Sequence, residues 1–388
     1  MKAILVSNTA AYLLNMWLPL ARALRDQGVD VVFAAPPGTE TNALVAEGFR
    51  FEALPILRGV GLPWEELSAL TAIVRLYRRE RPDVVHHFTA KPIVYGSLAA
   101  KLTGVPTRIS TISGLGYVFA KTSFLARAWQ RLVLRLYRFV LRGRNSWIIF
   151  QNPDDRDLFL RRAVASTDRT AVILGSGVDT RAFPPSPLPN GVPIVLCAAR
   201  LLWDKGIGEY VAAARVLRRE GVSARFLLAG WHDSEHPAAI PESVIRGWHD
   251  EGVVEYVGHC KDMVGLLNQS TLVVLASKYR EGVPRVLVEA ASMARPLIAT
   301  DVPGCREVCV DGINGRLVKP GDVASLATAI VGLVTDRSEA ERLGRNGRKL
   351  VESAFDLQRV VTETLAVYAG AMPSGTNPFA RTTVQPSL

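Results

Sequence analysis

Acidic residues are missing from one long stretch of this chain. None occurs between Asp83 and Asp154, where ten Lys and Arg do. Cysteine is scarce too, with Cys197, Cys260, Cys305 and Cys309 scattered in the second half. Cys305 and Cys309 are close in sequence, but no nearby His or Cys pair completes a zinc set, so reduced thiols and no bound metal are expected. No uncharged apolar run approaches the ~18 residues of a membrane span, and the opening Met1–Ser7 stretch is too short for a signal peptide. Both absences point to a protein made and kept in the cytoplasm. Gly-x-Gly-x-x-Gly is absent after the first apolar run, which argues against a dinucleotide-dependent dehydrogenase.

What is present describes a globular α/β protein. Hydrophobic residues make up 48% and charged residues 21% of 388 positions, a length that suits two domains better than one. Residues 1–185 hold 24 Lys and Arg against 14 Asp and Glu, which is the whole of the +10 net charge. A negatively charged partner is therefore expected on the first half.

Short apolar strands alternate with helical patterns in both halves. In the first, strands are expected at 3–6, 31–35, 51–54, 84–88, 108–112 and 147–151, with helices at 13–27, 42–47, 64–80 and 92–103. Strands of this length between helices imply parallel sheets covered on both faces. Five prolines between Phe183 and Pro193 interrupt the pattern and mark an interdomain linker. The alternation restarts with strands at 194–198, 224–230, 253–257, 271–276 and 296–300 and helices between and after them. The expected organisation is a first domain over 1–183, a linker over 184–193, a second domain over 194–356, a C-terminal helix over 357–370 with the option of packing back on the first domain, and a flexible tail over 371–388. Two doubly wound sheets in tandem place a ligand cleft between them.

The most informative run is Glu281-Gly-Val-Pro-Arg-Val-Leu-Val-Glu289. A buried strand ends in the Lys278–Gly282 loop, Pro284 takes a first helical position, and an apolar helix follows. Backbone N–H groups at such a start attract an anion or a hydroxyl-rich ligand. Glu281 lies beside that N-terminus and Glu289 about one turn inside the helix. A ligand that is part polyol and part phosphate suits two acceptors flanking a positive dipole. Arg200 and Lys205, after the first strand of the second half, make a plausible diphosphate clamp.

These motifs together resemble the retaining glycosyltransferases of family 4, with the two-domain fold known as GT-B. The resemblance rests on Arg200-x4-Lys205, Ala229-Gly230, the Val257–Asp262 turn, the Glu281–Ala290 block, Pro303–Glu307 and Gly312-x-Asn-Gly315. It implies two Rossmann-like parallel-sheet domains facing across a cleft, and a transferred sugar drawn from a nucleotide sugar, most commonly UDP-linked. Within the family the likeness is to bacterial enzymes of capsule, O-antigen and lipid-linked glycan synthesis, which implies a polyprenyl-diphosphate-linked saccharide as acceptor. Glu289 would accept from the ribose hydroxyls and Glu281 from the sugar. Gly282, Val283, Pro284 (through its carbonyl only) and Arg285 would line the pocket with Gly230, and Arg200 and Lys205 would neutralise the leaving diphosphate. No metal cofactor is expected, because those two cations and the helix dipole carry that charge.

Relatives commonly place a His at the end of the fourth-strand region of the first domain; this chain has Ile109-Ser-Thr-Ile-Ser-Gly114-Leu-Gly116 there. Gly114 and Gly116 permit close backbone approach to a ligand, His86 and His87 are the nearest imidazoles, and Ser7 and Asn8 open the first loop without a Gly-rich turn. All six are candidates for the acceptor side. A second feature is Arg127, Arg131, Arg135, Arg138 and Arg142, spaced along one helical face among Leu125, Trp129, Leu132, Leu136, Phe139 and Val140. A basic amphipathic helix with aromatics suits an anionic leaflet, which implies a peripheral enzyme on the inner face of the membrane. No nucleic-acid motif accompanies the charge. Two other readings share the donor site: a sugar-nucleotide epimerase or hydrolase, and a non-catalytic nucleotide-sugar-binding protein.

Overall fold

The computed structural model describes residues 1–59, 61–119, 123–234, 236–372 and 379. The chain forms two compact units, one from Met1–Gly177 together with the segment from Leu357 onward, the other from Val178–Asp356.

The first unit is built on seven parallel strands: β1 (Lys2–Val6), β2 (Asp30–Ala35), β3 (Arg50–Ala53), β4 (Val84–Phe88), β5 (Thr107–Ile112), β6 (Ser146–Phe150) and β7 (Thr170–Val172), ordered β3-β2-β1-β4-β5-β6-β7. β1, β4 and β5 bury nearly every residue, the signature of a parallel sheet covered on both faces. Its helices are α1 (Ala10–Tyr12), α2 (Leu18–Asp26), α3 (Thr41–Ala46), α4 (Pro63–Glu80), α5 (Ala90–Thr103), α6 (Phe124–Leu141) and α7 (Pro153–Arg161). A single regular helix was expected over 13–27, but Leu13–Trp17 is π-helical. Pro19 lacks an N–H and would crowd the carbonyl four residues back, and widening the preceding turn relieves that clash. β7 and α7 were not expected from the sequence: one is a three-residue edge strand, the other a short polar helix.

The second unit has six parallel strands: β8 (Ile194–Ala198), β9 (Arg225–Ala229), β10 (Glu255–Gly258), β11 (Leu272–Leu275), β12 (Leu297–Thr300) and β13 (Gly315–Val318), ordered β10-β9-β8-β11-β12-β13. Its helices are α8 (Ile207–Arg219), α9 (Glu242–Asp250), α10 (Met263–Gln269), α11 (Arg285–Ser292), α12 (Val323–Thr335) and α13 (Arg337–Ala354). The proline-rich segment lies inside this unit, where Arg295 donates to the Pro187 carbonyl and Arg337 to the Leu188 and Pro189 carbonyls. The last helix, α14 (Leu357–Ala371), belongs to the first unit, and Val360, Leu365 and Tyr368 share one core with Leu5, Leu24 and Phe33.

Both sheets reverse strand order at one place, between β1 and β4 in the first and between β8 and β11 in the second. Ligands of open α/β sheets bind beyond the carboxyl ends of strands at such points. α6 is amphipathic in an unusual way. Leu134, Tyr137, Val140 and Leu141 are buried, while Phe124, Trp129, Leu132, Leu136 and Phe139 are exposed. Of the apolar set read from the sequence as lying on a leaflet, Trp129, Leu132, Leu136 and Phe139 are exposed and Val140 packs inward, and the Leu125 side chain lies outside the described residues.

Candidate active site

Four charged side chains singled out in the second unit follow from its switch point. β8 leads through Ala199 to Arg200 and a 3-10 turn, Trp203–Lys205, and β11 leads to Ser277 and Glu281. Lys205 and Glu281 meet in an ion pair of 2.5 Å, with side chains 13% and 11% exposed. Ser277 Oγ donates to the same carboxylate oxygen at 2.5 Å. The Lys205 ammonium also lies 5.5 Å from the Tyr279 ring centroid, over its face. Burial alone would lower the Lys205 pKa, but the Glu281 charge, with Tyr279, outweighs it and leaves the pKa raised. Arg200 is close enough to oppose that charge, and its Nη1 lies 3.7 Å from Asp233, a nearly fully buried carboxylate.

Two glycines hold the loop in place. Gly206, at φ +71°, packs so tightly that a Cβ would run into the Ala276 carbonyl, and Gly304, at φ +91°, does the same to the Gly282 carbonyl. The Glu281 N–H is fixed by the Pro303 carbonyl at 2.9 Å. Gly304→Ala is expected to lower Tm by several degrees, from ~1–2 kcal/mol of left-handed backbone strain alone, and to cut turnover at least tenfold by displacing Glu281. Differential scanning fluorimetry and initial rates check it; a variant with wild-type values would mean the loop tolerates the shift.

α11 starts one residue later than the sequence suggested, with Pro284 as its N-cap. Glu289 is 7% exposed and pairs with Arg285 one turn earlier at 2.5 Å. Its carboxyl pKa is raised because burial disfavours the charge more than Arg285 favours it. Gly230, at the end of β9, gives its N–H to the Gly258 carbonyl, and a Cβ there would strike the Ala199 carbonyl. The structure thus brings Lys205 and Glu281 into contact, with Arg200 in electrostatic range, while Glu289 forms its own pair on α11.

Two family models match the chain, one described as Glycosyl transferase 4-like over residues 2–152 and one as Glycosyl transferases group 1 over residues 192–336. The chain belongs to these glycosyltransferases. The enzyme is 25% identical over 354 residues to N,N'-diacetylbacillosaminyl-diphospho-undecaprenol alpha-1,3-N-acetylgalactosaminyltransferase of Campylobacter jejuni, covering 88% of this chain and 91% of that protein. It is 26% identical to the capsular polysaccharide biosynthesis glycosyltransferase CapM of Staphylococcus aureus, covering 90% and 93%. Its fold matches that of Anabaena Alr3699/HepE, solved in complex with UDP and glucose, with a TM-score of 0.75 at 19% identity over 95% of this chain and 99% of that one. The two Rossmann-like sheets are the GT-B fold.

In the glycosyltransferase's first unit, the switch point places Ser7 after β1 and Thr89 after β4. Ser7 is fully buried with no partner for its Oγ, and Thr89 holds φ +69°, a conformation non-glycine residues rarely adopt. Asn8 follows Ser7 and is half-buried. Gly114 and Gly116 have φ +89° and +56°, bends that a side chain would strain. His86 and His87 leave the acceptor-side candidates. His86 is bonded to Tyr368 at 3.0 Å and Thr111 at 2.7 Å, His87 to Tyr77 at 2.9 Å and Ser97 at 3.3 Å. Both are fully buried and held neutral by desolvation, His87 with a pKa pushed down to about 3.

Sequence reasoning missed Ser277, Tyr279 and Asp233. Ser277 and Tyr279 follow β11 at the switch point and Asp233 follows the neighbouring β9, and a place beyond a strand's carboxyl end is the signal that would have found them. The Asp155-x-Asp157 pair is a further sequence pattern with metal-binding connotations, but Asp155 sits in the first turn of α7, where its N–H donates to the capping Asn152 side chain and its carboxylate accepts from the Asn152 amide. Among the described residues, no group of three His, Cys, Asp or Glu is placed to hold a metal, and no helix is long and apolar enough to cross a membrane.

Proposed function

We propose that this glycosyltransferase moves a sugar from a UDP-sugar onto a polyprenyl-diphosphate-linked saccharide, with retention of anomeric configuration, in cell-surface polysaccharide synthesis. The observation that carries the reading is the Lys205–Glu281 contact at the switch point of the second unit. Lys205 and Arg200 take the charge of the diphosphate as it leaves, an electrostatic contribution that grows in a dry site. A ligand diphosphate competes with Glu281 for Lys205, freeing Glu281 to accept from the sugar hydroxyls. Glu289 accepts from the ribose. Backbone of Gly282, Val283 and Arg285, the Pro284 carbonyl and Gly230 line the donor pocket.

Glu281 and Glu289 are each engaged with a cation and Asp233 lies beside Arg200, and none of the three is assigned as a nucleophile set across a sugar ring. Attack therefore comes from the leaving-group face. The C1–O bond to phosphate breaks, the acceptor oxygen bonds to C1, and the acceptor proton passes to the departing phosphate oxygen. The two cations and the α11 N-terminus make a divalent metal unnecessary. Uridine is favoured by the nucleotide bound to the Anabaena neighbour, and the lipid diphosphate by the substrate in the name of the Campylobacter relative. Ser7, Asn8, Gly114 and Gly116 line the acceptor side.

The test is turnover with UDP-, GDP- and ADP-sugars and a polyprenyl-diphosphate saccharide, in EDTA, with the product anomer read by NMR. An α-linked product from a UDP-sugar at undiminished rate is expected. UDP release without product would indicate a hydrolase, and a β-linked product would sink retention.

The exposed face of α6 supports a location on the inner face of the membrane. Its exposed Trp129, Leu132, Leu136 and Phe139 run alongside exposed Arg131, Arg135, Arg138 and Arg142, with Arg127 nearer the start. Charge reversal is not needed to test this. Replacing Arg127, Arg131 and Arg135 with Gln removes about 1 kcal/mol each, so partitioning onto phosphatidylglycerol vesicles should fall roughly 100-fold in flotation assays. Equal flotation would show that α6 does not face the lipid.

A further inference from the structure

We propose that the first unit carries a separate phosphate-binding site at the amino ends of β5 and β6. It lies at the opposite end of the sheet from Ser7 and Thr89, and the transfer chemistry makes no use of it. A pocket of about 240 Å³ opens there, lined among others by Arg138 and Arg142 of α6, Ser146 of β6, and Ser166 and Arg169 beyond α7. Three guanidinium groups thus border one small concavity. Arg169 pairs with Asp168 at 3.4 Å, and that carboxylate is largely exposed.

Arginines near a helix C-terminus offset its dipole, which accounts for Arg138 and Arg142 without any ligand. Two buried groups on the strands need another explanation. Ser146 lines the pocket at 3% exposure, and its Oγ has no hydrogen-bond partner. Arg108 stands opposite it in the β5–β6 register, is 7% exposed, and has a buried Nε without a partner. Arg108 forms no ion pair among the described residues. Gly143, also in the pocket wall, keeps the space for it, since a Cβ there would fall 2.8 Å from Arg108 Nη2. Arg295 also has an unpartnered buried Nε, but its Nη1 and Nη2 donate to the Pro187 and Ser186 carbonyls. Lys101 of α5, held by the Phe139 carbonyl, adds one more cation nearby.

Burying a guanidinium without a counter-charge is costly, and so is an orphaned hydroxyl. A tetrahedral oxyanion in the pocket answers the hydroxyl directly, since the guanidinium forks of the lining arginines match its edges and Ser146 donates to a third oxygen. Arg108, which does not line the pocket, gains a counter-charge beyond Gly143. Phosphate could reach the site free in solution or as the headgroup of a phosphomonoester lipid under α6. The second source rests on the membrane reading of α6, the first does not, and neither depends on which sugar is transferred.

The experiment is calorimetric titration of the full chain with inorganic phosphate at low ionic strength, without donor. Arg138→Gln/Arg142→Gln is expected to weaken one binding event at least tenfold, and Ser146→Ala severalfold. Arg127→Gln/Arg131→Gln, an equal charge loss on the same helix, should leave it within twofold. Any phosphate held by Lys205 and Arg200 is common to all variants and cancels. Vesicles of phosphatidic acid and phosphatidylglycerol at matched surface charge then separate the sources. Preference for the monoester, lost in Arg138→Gln/Arg142→Gln, assigns the lipid headgroup; no preference alongside intact phosphate binding assigns the free ion. Folded wild-type protein with no phosphate binding that depends on these residues, or equal losses for both arginine pairs, overturns the site.

Discussion

Glu281→Ala should lower kcat/KM roughly 10²- to 10³-fold, the scale seen when one preorganised group is removed from a transition-state site. Glu281 is held by Ser277 and through its own N–H by Pro303, two contacts that remain when a diphosphate draws Lys205 away. A group fixed in advance loses little when charge develops next to it. Its removal also leaves Lys205 free to seat the diphosphate, so KM for donor should change less than kcat. Initial rates at varied donor and saturating acceptor read this directly. A kcat/KM within twofold of wild type would dismiss Glu281 from the reaction.

Lys205→Met should be as damaging to turnover and worse for stability. It strips the diphosphate of its nearest cation and strands the Glu281 carboxylate in a nearly dry site. Breaking one side of a buried pair costs about 3–5 kcal/mol, on the order of 10 °C in Tm for a unit of this size. Replacing both partners, as Lys205→Met with Glu281→Leu, should recover most of that Tm and none of the activity. The pH dependence follows from the raised Lys205 pKa. The pair's contribution is complete below the ordinary lysine value of 10.5 and disappears as pH rises through the higher folded value. The Tm advantage of wild type over the single variant should thus shrink only in strong alkali. A double variant as unstable as Lys205→Met would mean that packing, not charge, holds the loop.

The parts of this fold legible in the sequence are those whose cause is local. Val, Ile and Leu runs of four to six residues marked the central strands because a strand buried on both faces can hold little else. Two edge strands escaped notice: β7 has three residues, and β13 has two half-buried positions between its buried ends. β10 begins two residues later than expected, since Val253 and Val254 are buried ahead of the strand rather than within it. The acidic and basic couples were readable from spacing, and so was the basic helix. The partner relations were not. His86 is a core residue because Tyr368, 282 positions away, meets its ring nitrogen. Periodicity gave the faces of α6, and Leu134, Tyr137 and Leu141, the residues that the fold buries, were not among those singled out.

The return of α14 to the first unit sets an order for synthesis. Tyr368 and its neighbours fill the space beside β1, β2 and β4, so that hydrophobic interior stays open until they arrive. Between Gly177 and Leu357 the ribosome must add the whole second unit, roughly 10–40 s at ordinary elongation rates. The second unit can therefore mature on the nascent chain while the unit begun first still waits for its final helix.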